Sequence, residues 1–292
     1  MVSALFLQTP RVRVEMQLRK PLPSNRSYDQ VFNHYQVEKR LASKLKQADR
    51  RARTEIYSTM YDELFSKVPD HPRLTKRNDE SESRKKVGHR LAFIKRFLKK
   101  DEVFVEFASG DGRLLKEAAQ HCGQAIGVDI SDQRDSNEHF PDNVDVIVYD
   151  GYDLSSISND SVDFIFSDQL IEHLHEEDVE LHFETIKRIL KKGGAYAFRT
   201  PHAFCGPHDV SQYFSDSPEC FHLKEWKFKD VKAIERIGFT RVKYYWSAKN
   251  IHVRMPRLYF MALESLLSNI NSYKMRNIVQ LFLPSVTCVL AK

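Results

Sequence analysis

The chain of 292 residues has no run of about 18 apolar residues, so no segment reads as a membrane-crossing helix. Met1 to Gln8 is apolar but too short for a signal peptide, and it lacks a charged leading region and a small-residue cleavage site. Only four cysteines occur: Cys122, Cys205, Cys220 and Cys288. None are closely spaced, which excludes a zinc knuckle and a disulfide framework. Scattered thiols fit a reducing compartment, and the expectation is a cytoplasmic protein. No internal repeat or low-complexity tract is present, and no RNA-binding module is recognisable. Acid is scarce in one third of the chain. Residues 1–100 carry 24 Lys and Arg against 11 Asp and Glu, whereas residues 101–292 carry 21 against 29. Nucleic acid, a membrane surface, an acidic substrate or a solvated helix surface would each account for a basic third, and the last is the commonest cause.

What is present is a change of pattern at residue 101. Before it, Ser27-Tyr-Asp-Gln30 matches a capping box. Val31, Tyr35, Leu41, Leu45, Ala48, Ala52 and Ile56 then recur at mostly helical spacing, predicting one long helix or two broken ones. Val68-Pro-Asp-His-Pro72 ends this stretch, because proline cannot continue a helix. Ser81 to Lys100 is a further helix. After residue 101, short apolar runs alternate with helical stretches: Val103–Phe107, Ala125–Val128, Val144–Tyr149, Val162–Phe166 and Ala195–Phe198. Such runs indicate an α/β fold with a mainly parallel sheet covered on both faces. Gly193-Gly194 reads as a helix C-cap leading into a strand. Lys229–Ile237 reads as a helix, Arg241–Trp246 and Val286–Leu290 as late strands, and Met255–Leu283 as helical.

The chemistry collects at strand ends. A nicotinamide-dinucleotide site wants G-x-G-x-x-G, but Gly110 and Gly112 are followed by Leu115 where the third glycine belongs. Polar residues instead mark four successive strand ends: Glu106 with the turn to Gly112, Asp129, Asp150-Gly151, and Ser167-Asp168-Gln169. Ligands of open α/β sheets bind at such ends.

This ordered set, over about residues 100–245, resembles the class I S-adenosylmethionine-dependent methyltransferases. The resemblance implies a Rossmann-like sandwich with a mainly parallel seven-stranded sheet. It also implies a helical N-terminal extension or lid over 1–100, and a methyltransferase domain over 101–292 with a helical insertion at about 250–285. The family's first motif is an acid followed by G-x-G-x-G. Here Glu106-Phe-Ala-Ser-Gly-Asp-Gly112 has Ala108 in place of the first glycine, a change that matters where φ is positive. By resemblance, Glu106, Ala108, Gly110 and Gly112 lie at the methionine end of S-adenosylmethionine. Asp129 holds the ribose hydroxyls, Asp150 and Gly151 meet the adenine, and Asp168 lies near the sulfonium. Met60–Phe65 and Ser83–Lys100 look like the lid of such enzymes, with Tyr57 and Tyr61 closing over the cofactor.

Pro201 to Phe214, with Phe221-His-Leu-Lys-Glu-Trp226, resembles a bacterial subgroup found with glycan and secondary-metabolite pathways. That implies methyl transfer to a hydroxyl or amine, oxygen ahead of nitrogen, of a small metabolite or sugar intermediate. His173, and His208 with Asp209, are the candidate catalytic residues, because a neutral imidazole can take a proton from the acceptor. Gln169, Glu172, His173 and His222 resemble the divalent-cation site of small-RNA 2′-O-methyltransferases. With Gln169 in place of a carboxylate, no metal is assigned. An RNA methyltransferase and a catalytically silent scaffold are the alternative readings. Residues 1–60 and 250–285 remain to shape the acceptor site or form a homodimer.

Overall fold

The computed structural model describes residues 16–77, 79–135, 137–268 and 273–292. Four helices open the chain: α1 (Tyr28–Gln47), α2 (Arg50–Lys67), α3 (Pro72–Arg77) and α4 (Glu80–Ile94). The capping box forms as expected, with Gln30 N–H donating to the Ser27 hydroxyl and Ser27 N–H to the Gln30 side chain. The helical stretch is broken in two at Ala48-Asp49, where Asp49 caps α2 through Ala52 N–H at 2.8 Å.

The α/β part follows with β1 (Val103–Phe107), α5 (Arg113–Ala119), β2 (Gln124–Asp129), β3 (Val144–Val148), β4 (Val162–Asp168), α6 (Val179–Ile189) and β5 (Leu190–Pro201). After it come α7 (Val231–Glu235), β6 (Arg241–Ala248), β7 (Ile251–Met255), α8 (Arg257–Leu267), α9 (Tyr273–Phe282) and β8 (Ser285–Ala291). One sheet runs in the order β3-β2-β1-β4-β5-β8-β6-β7. The first five strands are parallel, and β8 is antiparallel to both β5 and β6. This is the Rossmann-like class I methyltransferase sandwich, with β7 added as an eighth strand at the edge.

Burial explains why the strands read as continuous apolar runs. Val105, Phe107 and Ile165 pack with Phe183, Ile186 and Ile189 of α6 on one face. Phe104, Phe164 and Phe166 pack with Phe93, Leu114 and Leu115 of α4 and α5 on the other. A strand covered on both faces has no polar side to display.

Two segments depart from expectation. Ile251 to Met255 is strand β7, not helix, hairpin-paired with β6 so that Ala248 faces Ile251 and Trp246 faces Val253. The helical insertion begins only at Arg257. Gly193 and Gly194 lie within β5 at an irregularity, because α6 ends earlier at Ile189. No helix among the described residues is long and apolar enough to cross a membrane.

Candidate functional site

The carboxyl ends of β1, β2 and β4 open into a cavity of about 590 Å³, roofed by residues of α2, α3 and α4. The turn after β1 forms one wall. Ala108, Gly110 and Gly112 all take left-handed backbone, with φ of 56°, 56° and 72°. Ala108 N–H donates to the Val128 carbonyl at 2.8 Å, and Gly112 N–H to the Ser109 carbonyl at 2.9 Å. The turn rests on β2 at Gly127, where a Cβ would sit 2.7 Å from the Ser109 hydroxyl oxygen.

Asp129 ends β2, buried on the cavity wall. Its Oδ2 accepts from Gly110 N–H at 2.8 Å and its Oδ1 from Ser131 N–H at 3.3 Å. Burial raises its pKa against the opposing pull of the Gly110 N–H and Arg73. Glu106, also buried, has an Oε2 with no hydrogen-bond partner. Burial pushes its carboxyl up to about 8, opposed by the nearby Arg90. A buried orphan acceptor is costly, and it is what a ligand amine would satisfy.

Asp168, at the end of β4, is clamped. Arg199 binds it through both oxygens, at 2.7 and 2.8 Å, and Arg90 of α4 adds a third contact at 2.6 Å. These guanidiniums overcome the burial penalty and hold the carboxyl at about 2. Its next neighbour, Gln169, is left-handed at φ 60°. Asp168 thus ties the lid helix α4 to the sheet while lining the cavity.

Gly151 lines the cavity under Tyr57, but the Asp150 carboxylate does not. It is exposed, and its Oδ1 accepts from Tyr152 N–H at 2.8 Å and Asp153 N–H at 2.7 Å. A side chain closing its own turn is drawn back from the neighbouring cavity. Asp150 faces a separate depression beside Tyr57 and Tyr149. Gly112 likewise lies off the cavity lining, next to the Phe140 ring. Tyr61 lines the cavity with Arg73 stacked over its ring at 5.2 Å.

Of the candidate catalytic residues, His173 reaches the cavity and His208 and Asp209 do not. The His173 Nδ1–H donates to the Phe221 carbonyl at 2.8 Å, leaving Nε2 as the acceptor. Burial and the adjacent His222 lower its pKa to about 3, so the ring is neutral. The Asp209 carboxylate is consumed by Ser211 N–H at 2.9 Å and His222 N–H at 3.2 Å. His208 is bound to Glu225 through its backbone N–H and Nδ1. Both belong to the loop packed behind the wall.

Glu172, fully buried, accepts from the Thr200 hydroxyl through Oε2, while its Oε1 is unpartnered. Burial raises it to about 7. His222, against Glu225, is raised to about 9. Glu172, His173 and His222 each place one ligand atom within 4.8 Å of the others. Gln169 contributes no charged ligand to this group.

Sequence reasoning missed the rim. Arg53 of α2, 1% exposed, donates to Asp178 at 2.9 Å, to Glu177 at 3.0 Å and to Tyr152 Oη at 3.0 Å. Tyr152 Oη in turn donates to Asp178 at 2.9 Å. Arg73, Ser83, Lys86 and Arg90 complete the roof from α3 and α4. No local signal marked these residues, since each depends on a partner distant in sequence.

Residues 105–198 match the family model described as "Methyltransferase domain". Sheet order and match together show the class I methyltransferase fold, with the family model covering residues 105–198. Over 132 residues the chain is 31% identical to phosphoethanolamine N-methyltransferase 3 of Arabidopsis thaliana, covering 42% of this chain and 25% of that protein. The chain thus spans about a quarter of that curated relative. Among solved structures, a chain from the complex between the Haloferax volcanii Trm112 methyltransferase activator and a candidate methyltransferase aligns at a TM-score of 0.53 and 19% identity. That alignment covers 74% of this chain and 93% of the other, and shows the shared fold. A S-adenosylmethionine-dependent methyltransferase of Archaeoglobus fulgidus aligns at 0.48 and 17% identity, over 71% and 94% of the chains.

Proposed function

We propose that this protein is a cytoplasmic enzyme that transfers a methyl group from S-adenosylmethionine to a hydroxyl or amine of a small acceptor. A metabolite or a sugar or glycan intermediate is the favoured acceptor, and oxygen is favoured over nitrogen. The reading rests on one observation above others. An unpartnered buried carboxylate oxygen of Glu106 and the Asp129 carboxylate face one cavity across a left-handed turn.

The bound cofactor supplies a methyl group on a positively charged sulfur. The chain's own residues do the rest. Glu106 Oε2 accepts from the amino group at the methionine end. Asp129 accepts from the ribose hydroxyls with the lone pairs left over from Gly110 and Ser131. Tyr57 and Gly151 form the adenine side. The roof from α2 to α4 excludes water, so that positioning supplies most of the rate. His173 Nε2 accepts the acceptor's proton. With its ring held at about 3, it takes that proton only once the new bond has made the acceptor strongly acidic, so positioning carries the rate. The N-methyltransferase relative keeps an amine acceptor within the proposal, and the Pro201–Phe214 segment supports the glycan side.

An RNA acceptor is the second reading, and several cations of the N-terminal third are paired within the chain. Arg26 pairs with Asp70, Arg40 with Glu63, Arg53 with Asp178, and Arg90 with Asp168. Calorimetry with S-adenosylmethionine tests the proposal. Micromolar binding is expected, weakened in Asp129→Ala by about 1–3 kcal/mol, the loss of charge-assisted hydrogen bonds. Absent binding in the wild type would overturn it.

A further inference from the structure

Three basic side chains of the roof line the cavity: Arg73 of α3, and Lys86 and Arg90 of α4. Arg90 is bound to Asp168 at 2.6 Å, and Lys86 has contacts of its own. Arg73 pairs with no carboxylate among the described residues. Its half-buried guanidinium lies over the Tyr61 ring, 5.2 Å from the centroid. Its Nη2 reaches the turn after β1, 3.2 Å from the point where a Cβ on Gly110 would sit. The root of this side chain is fixed as well. Arg73 backbone N–H donates to His71 Nδ1 at 3.1 Å, and His71 Nε2–H points to Glu38 Oε1 at 3.4 Å.

A guanidinium held inside a cavity without an anion is costly to desolvate, and its planar fork matches a carboxylate through two N–H donors. The charge of Arg73 is felt along the wall, where it opposes the burial that raises Asp129. The cofactor carries one anionic group, a carboxylate, on the same carbon as its amine. Receptors for the two must therefore flank one short stretch of wall. Glu106 leads into the turn, and Gly110, beside the Arg73 guanidinium, lies within it four residues later. Glu106 offers an acceptor oxygen without a donor, and Arg73 a cation without a carboxylate. Together they are complementary to a zwitterion.

We propose that Arg73 binds the carboxylate of S-adenosylmethionine while Glu106 takes its amine, so that roof and wall read the two charges of the methionine end. The inference rests on the methyl-transfer reading of the cavity.

Calorimetry on the full chain with S-adenosylmethionine and with its decarboxylated form tests the contact. The second ligand keeps the sulfonium and the amine and lacks only the carboxylate. Wild type is expected to bind S-adenosylmethionine about tenfold or more tighter than the decarboxylated form, the scale of a charge-assisted hydrogen bond. Arg73→Gln is expected to lose about that factor for S-adenosylmethionine. It is expected to bind the decarboxylated form as wild type does, which also shows that the variant folds. Arg73→Lys is expected to recover part of the loss, because an ammonium keeps the charge without the fork. Wild type that bound neither ligand would remove the methyl-transfer reading and this contact with it. The contact alone is overturned by a wild type that binds both ligands equally. It is also overturned by an Arg73→Gln variant that keeps the preference for the carboxylate, because the guanidinium then serves another ligand. Equal weakening of both ligands in that variant overturns it as well, since Arg73 then holds the roof and not the carboxylate.

Discussion

At Ala108 the backbone adopts φ 56°, a conformation that costs an L-residue about 1–2 kcal/mol relative to glycine. The sequence position where the family pattern has glycine is therefore one where glycine is sterically preferred. Ala108→Gly relieves that strain but adds freedom to the unfolded chain, worth roughly 0.5–1 kcal/mol. The first effect exceeds the second. Urea unfolding is expected to show Ala108→Gly more stable by about 0.5–1 kcal/mol. A loss of stability would mean that the methyl group makes contacts worth more than the strain.

Glu106 makes a second residue-scale prediction. Burial pushes its carboxyl up to about 8, and its own Oε2 has no hydrogen-bond partner. A cationic amine placed against it favours the carboxylate, so binding the cofactor near neutral pH is expected to release a proton from Glu106. Calorimetry in buffers of different ionisation enthalpy reads that proton directly. Glu106→Gln is expected to bind more weakly and to lose the buffer dependence. An unchanged buffer dependence in that variant would assign the proton to another group.

Among the elements, α2 is latched to the start of α6 by a buried ion pair. Arg53 and Asp178 are both buried, and Arg53→Met leaves the Asp178 charge without its main partner, a loss of about 3–5 kcal/mol for a broken buried pair. Because Tyr57 and Tyr61 of α2 line the cavity, the same change is expected to weaken cofactor binding. Adding Asp178→Asn to Arg53→Met is expected to recover part of the stability. Denaturant midpoints of the two variants decide it. Equal midpoints would show that the latch is electrostatically idle.

The same scale explains what could be read from the sequence. The parallel strands were legible because two-sided burial forces continuous apolar runs such as Val103–Phe107. The strand-end acids Glu106, Asp129 and Asp168 reach one cavity because parallel strands put their carboxyl ends together. Strand β7 was misread as helix because Ile251, Val253 and Met255 alternate over only five residues, too few to separate the two periods. The Arg53–Asp178 latch and the position of His208 and Asp209 were not legible. They depend on how a loop folds back on distant helices, which periodicity does not encode. Asp150 sits at the anticipated strand end, but a turn claims its carboxylate.

For the whole molecule, the buried titratable groups set opposing demands on pH. Asp168, Glu225 and Glu38 are held at about 2, below their unfolded values, so their stabilisation is present above roughly pH 4 and is lost as pH falls through 2. His173 at about 3 and His182 at about 4 are depressed by burial, and their contribution is lost as pH falls below the ordinary histidine value. On the alkaline side the signs reverse. Glu172 at about 7 and Glu106 at about 8 are raised, so the stability of their neutral forms is lost as pH rises through those values. His222, raised to about 9, loses its stabilisation between about pH 6.5 and 9. The falling and rising contributions overlap between roughly pH 4.5 and 6.5, where the unfolded carboxylate and histidine values lie, and there they offset each other. The free protein is therefore expected to be most stable on that slightly acidic plateau and to weaken steadily toward pH 9. If S-adenosylmethionine partners Glu106 as its carboxylate, as proposed, one alkaline loss is removed, so the cofactor is expected to stabilise the protein more at pH 8.5 than at pH 6. Thermal unfolding across pH 5 to 9, with and without cofactor, tests both statements. A cofactor effect independent of pH would place the amine of the ligand away from Glu106.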